Sequence, residues 1–98
     1  MSTSKEYAKS AIAKLSQLPF EITSRLMMGE HLLYAGGVLF GGFYDNRFLI
    51  KKTSANEAFG LPEAIPYATT KKTMYQIKDL DDPKLFEIIE ATLGDLKK

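Results

Sequence analysis

The chain has 98 residues, a length for one domain, and its 45% hydrophobic and 26% charged residues give an ordinary globular balance. A net charge of +1 withholds the long-range attraction that draws strongly basic proteins to nucleic acid or anionic membrane. With no cysteine, disulfides, thiolate metal sites and a cysteine nucleophile are all excluded.

The polar start, MSTSKEYAKS, lacks the apolar core of a signal peptide. The charge-free stretch from Leu32 to Tyr44 is shorter than the ~20 residues a spanning helix needs. A cytoplasmic protein with no membrane contact is the expectation. Thr3-Ser4-Lys5-Glu6 fits a capping box with Thr3 as N-cap. Ala8, Ala11, Ile12, Leu15 and Leu18 then follow helical spacing, and Pro19 stops that helix. Residues 21–28, EITSRLMM, alternate as a strand.

The run HLLYAGGVLFGGFYDN, 31–46, holds four of the seven glycines and the only histidine. Gly36-Gly37 and Asp45-Asn46 each read as a two-residue hairpin turn, because glycine, and less readily Asp and Asn, accept positive φ. Strands at about 31–35, 38–44 and 47–52 follow. Gly41-Gly42 falls inside the middle strand, where glycine often marks a bulge or a close approach. A phosphate loop is excluded: Gly36 and Gly41 have P-loop spacing, but Gly42 and Phe43 stand where Lys and Ser/Thr belong.

Further on, Thr53 or Ser54 can cap a short helix that Gly60 closes, and Glu57 completes a box from Ser54. Residues 61–72, punctuated by Pro62 and Pro66, read as a loop. TMYQIK, 73–78, reads as a strand. Asp82-Pro83 reads as N-cap and N1 of a last helix with its stripe at Leu85, Ile88, Ile89, Leu93 and Leu96. The order predicts one α+β domain over 1–98. In it, an antiparallel sheet of about five strands is covered on one face by long N- and C-terminal helices.

Hairpin pairing sets Phe43 opposite Phe48 and Leu39 opposite Tyr34. Strict alternation adds Leu32, Gly41 and Ile50 to that face, which is expected to meet the helices. The opposite face then carries Leu33, Val38, Phe40, Tyr44, Arg47, Leu49 and Lys51. So large an apolar patch is either a surface for a partner or a second copy, or it lies under the 61–72 loop.

Catalytic and metal chemistry find no pattern. His31 has no second ligand, and Glu30 beside it points to the other face. Asp79, Asp81 and Asp82 lack the twelve-residue frame of a calcium loop. Lys51-Lys52 and Lys71-Lys72 read as solubilising charges. No enzyme activity, cofactor or metal is expected.

The run ITSRLMMGEHLLYAGGVLFGGFYDNRFLIKK resembles the N-terminal domain of the TfoX/Sxy competence-regulator family. The matching positions are Thr23, Arg25, Met27, Gly29, Tyr34, Gly37, Phe40 and Lys51, then Pro66, Tyr67, Met74 and Tyr75. Met28 and Glu30 stand where that family has Phe and Gly. The resemblance implies a two-layer α/β domain similar in fold to type III secretion chaperones, in a bacterial cytoplasmic protein without enzyme activity. In the family's full-length regulators this domain accompanies a C-terminal helical domain and acts on transcription of DNA-uptake genes with the cyclic-AMP receptor protein. A chain ending at Lys98 reads as a stand-alone member, whose role need not be competence.

The leading expectation is therefore a regulatory protein-interaction module, its partner another protein such as a transcription factor, or a second copy. Arg25, Arg47 and Lys51 would steer an acidic partner, and Phe40, Tyr44 and Leu49 would supply the buried contacts. Direct DNA contact through Arg25, Arg47, Lys51, Lys52, Lys71 and Lys72 is the alternative. A small-ligand pocket near Met74, Tyr75 and Gly41-Gly42 is a third.

Overall fold

The computed structural model describes residues 3–27, 30–66 and 71–97. Gly29 and Tyr67, two positions of the family resemblance, and Met28, one of its departures, lie outside the described residues.

The chain opens with α1 (Lys5–Leu15), capped by Ser4, whose hydroxyl accepts from the Tyr7 amide at 3.1 Å. Thr3, the expected cap, is engaged elsewhere, its main-chain amide and hydroxyl both donating to Glu30. Strands β1 (Ile22–Met27), β2 (Glu30–Ala35), β3 (Val38–Phe43) and β4 (Phe48–Ile50) follow. After a single 3₁₀ turn, Glu57–Phe59, come β5 (Glu63–Ala64), β6 (Met74–Ile77) and α2 (Leu85–Leu96). The sheet is antiparallel throughout, in the order β1-β2-β3-β4-β6-β5. The sixth strand is β5, which arises inside the stretch expected to be loop. The helices, at 11 and 12 residues, are three turns each rather than long.

Both hairpin turns form as expected. Gly36 and Gly37 have φ of 57° and 84°, and Asp45 and Asn46 have 52° and 58°. Two left-handed residues in a row twist a hairpin in the sense its strands already have. The last helix begins later than expected, at Leu85. Asp82 caps the turn before it, its carboxylate accepting from the Lys84 amide at 2.8 Å.

Both helices pack on the face that carries Phe43, Phe48 and Ile50, as expected. The membership of that face differs, and the cause is a bulge. Leu33 pairs with Gly41 and Tyr34 with Leu39, so Phe40 is the extra residue. An extra residue reverses the alternation beyond it. Leu33, Val38 and Phe40 thereby turn to the helices, and Leu32, Tyr34 and Leu39 turn away. The placement of Leu33, Val38 and Phe40 on an open face is corrected accordingly: Leu33 and Phe40 are fully buried in the core, and Val38 packs against it.

The two glycines beside the bulge are required by close approach. A Cβ on Gly41 would run into the Leu49 carbonyl oxygen, and one on Gly42 would stand 2.5 Å from that of His31. Ala8, Ala11 and Leu15 of α1 and Leu85, Ile88, Ile89 and Leu93 of α2 complete the core. Phe43 sits at its centre, edge-on to Tyr7 at 5.5 Å and to Phe48 at 5.7 Å.

Candidate functional site

The sheet face away from the helices carries the site. Tyr44 follows β3 on that face, and its ring covers Gly42. Lys51 follows β4 on the same face. The pairing of β4 with β6 sets Leu49 opposite Gln76 and Ile50 opposite Tyr75. Continued two residues further, that register places Lys51 and Lys52 beside Met74 and Thr73. A hydrogen bond of 2.9 Å from the Lys52 ammonium to the Thr73 hydroxyl shows the register holding there. Lys71 and Lys72 lie just before Thr73 in the chain.

These residues enclose an open pocket of ≈ 700 Å³. Tyr44, Pro66 and Met74 give it apolar surface, and Lys51, Lys52, Lys71, Lys72 and Thr73 give it a polar rim. None of the described residues that line it is acidic. Lys52 stands at the boundary with the edge strand. Its ammonium also meets Glu63 Oε1 at 2.5 Å and lies 5.5 Å from the centre of the Tyr75 ring. The hydrogen bond from Lys52, followed by that from Thr73, holds the Glu63 carboxyl below its ordinary value, and the same Glu63 contact raises Lys52.

The expected contact residues are dispersed. Phe40 is core and Leu49 is wholly buried, so neither is exposed to a partner. Tyr44 is 6% exposed and presents only an edge of its surface to the pocket. The Arg47 guanidinium is tied down, donating to the Tyr44 carbonyl at 3.2 Å and to the Ile65 carbonyl at 3.0 Å. That second bond brings the end of the 61–66 segment back toward this face. Arg25 is exposed on β1, three strands from β4 and hence about 14 Å away. It lines a separate, smaller depression with Thr23, Ser24, Tyr34 and Gly37. Of the six expected contacts, the pocket gathers only Tyr44 and Lys51. It also gathers Lys52, Lys71 and Lys72, expected either as solubilising charges or as DNA contacts, and Met74 from the ligand-pocket reading. The sequence signal was the recurrence of Lys-Lys at one strand's end and just before another's start.

Other chemistry is sparse. His31 packs its ring against Phe43, 6.1 Å away. Among the described residues, no three His, Cys, Asp or Glu side chains converge as metal ligands. No described helix is long and apolar enough to cross a membrane. No family model matches this chain, and neither does any curated protein or solved structure.

Proposed function

We propose that the chain is a non-enzymatic regulatory module that binds an acidic segment of a protein partner in the lysine-rimmed pocket. The observation that carries this reading is the β4–β6 pairing, which brings Lys51-Lys52 and Lys71-Lys72 to one apolar-floored concavity. The partner's carboxylates meet the ammonium groups, and an apolar side chain enters between Tyr44, Pro66 and Met74. The resemblance of residues 22–52 to the TfoX/Sxy N-terminal domain points the same way, toward regulation by contact.

Magnitudes set the expected affinity. Each exposed ion pair contributes about 0.2–1 kcal/mol. A buried Leu- or Phe-sized side chain adds about 1.5–3 kcal/mol. After the cost of association, a dissociation constant in the micromolar range or weaker follows. The charge contribution is screened by salt.

The test is fluorescence anisotropy with a labelled Glu-rich peptide carrying one central tryptophan. Binding should weaken with salt and weaken about tenfold or more in a Lys51→Glu/Lys71→Glu variant. Equal binding by that variant would overturn the reading. Tighter binding of duplex DNA than of the peptide would replace it with direct DNA contact, which uses the same lysines; the net charge of +1 favours the peptide.

A further inference from the structure

The two edges of the sheet are treated differently. The β5 edge is two residues long and lies between Pro62 and Pro66. Short strands and nearby prolines are the ordinary means of blocking pairing at an edge. The β1 edge has six residues with no proline, no lysine and no irregularity in its pairing with β2. It is also apolar where an edge is normally polar. Leu26 is 66% exposed and Met27 50%, two of the three large exposed hydrophobics among the described residues.

Backbone direction decides what β1 can accept. The Gly36 amide donates to the Glu21 carbonyl at 3.0 Å. Hydrogen-bonded and non-bonded positions alternate along an antiparallel pair. Glu21, Thr23, Arg25 and Met27 therefore direct their main-chain groups to β2. Ile22, Ser24 and Leu26 direct theirs to the open edge.

We infer that β1 pairs with β1 of a second copy, antiparallel and centred on Ser24. This register uses every outward group: Ser24 faces Ser24 of the second copy, and Ile22 faces Leu26 at both ends. Each such pair can exchange two hydrogen bonds. The side chains agree with it. Ile22, Ser24 and Leu26 share the helix-covered face, so two Ile–Leu pairs extend the apolar layer across the junction. On the opposite face, Thr23 meets Arg25 of the second copy, and Glu21 lies diagonally from that same arginine. No like charges stand directly opposed. The two-fold axis runs perpendicular to the sheet, which keeps both helix layers on one side. The lysine pocket, toward the other edge, stays open, so the inference is independent of the proposed function.

Analytical ultracentrifugation of the full chain over a concentration series tests this. A reversible dimer is expected. Ser24→Pro removes an outward amide that bonds no other described residue of the copy, and should raise the dissociation constant at least about thirtyfold. Leu26→Lys, the natural edge-blocking substitution, should raise it about tenfold or more; it serves if the proline variant loses its circular-dichroism signature. Amides of Ile22, Ser24 and Leu26 should exchange more slowly as protein concentration rises. A wild-type protein that stays monomeric at every concentration, or a dimer indifferent to both substitutions, would overturn the inference.

Discussion

The carboxylate of Glu30 joins Thr3, before the first helix, to Asp45, in the turn between β3 and β4. It accepts from the Thr3 amide and the Asp45 amide, each at 2.9 Å, while 4% of the residue is exposed. Asn46 completes the clasp by accepting from the Ser4 amide at 2.8 Å, next to the helix cap. The start of α1 is thus anchored to the sheet through main-chain donors. Glu30→Gln keeps the shape and replaces one acceptor oxygen with a donor. It should cost about 1–3 kcal/mol in chemical denaturation. A denaturation midpoint and slope equal to wild type would show that the clasp contributes nothing.

Phe40 distinguishes a core residue from a contact surface. Its ring meets Phe48 edge-on at 6.4 Å within the helix-covered core. Phe40→Ala should destabilise by about 3–5 kcal/mol, and Phe40→Glu should abolish folding, because a carboxylate there would be buried without a partner. A folded Phe40→Glu protein, seen by near-ultraviolet circular dichroism, would place this side chain outside the core.

Gly41 and Gly36 should respond differently to alanine. At Gly41 the added methyl meets the backbone of β4, which cannot yield without breaking the sheet. A loss of about 1–3 kcal/mol or more is expected. At Gly36 nothing lies within 4 Å of the added atom, and only the positive φ of 57° opposes it. That costs about 1–2 kcal/mol. Thermal melts of the two variants should rank Gly41→Ala lower.

The Lys52–Glu63–Thr73 cluster has a pH signature. Glu63 is held below 4.5 when folded, so its contribution is present above that value and is lost as pH falls through the depressed one. Lys52 is raised above 10.5, so its contribution is complete below that value and is lost as pH rises through the raised one. Both groups are solvent-exposed, and site-resolved NMR reads the effect better than a melt does. Glu63 should titrate below an ordinary glutamate, and Lys52→Met should return it toward 4.5. An unshifted Glu63 in the wild-type protein would show that the contact does not persist in solution.

What was legible in the sequence was local. Gly36-Gly37 and Asp45-Asn46 specify turns through their own backbone preferences, and the stripes of both helices follow from spacing alone. Gly41-Gly42 signalled a bulge or a close approach, and β3 has both. Which residue is the extra one depends on pairing across strands, and that choice decides the face on which Phe40 lies. A single inserted residue therefore moved Leu33, Val38 and Phe40 into the core. The four lysines could be named together as basic residues, but the concavity they share depends on pairing in the same way. Its halves, Lys51-Lys52 and Lys71-Lys72, meet only through the pairing of β4 with β6, which no local pattern encodes. The strand β5 is too short to show periodicity at all.

The role proposed for the lysine-rimmed pocket is to receive an acidic partner segment. The most direct measurement is a ¹H–¹⁵N chemical-shift titration of the full chain with the Glu-rich, tryptophan-bearing peptide. Saturable shifts centred on Lys51, Lys52, Thr73 and Met74, with β1 unmoved, are expected. No saturable shift, or shifts centred on Thr23 to Arg25 instead, would rule that role out.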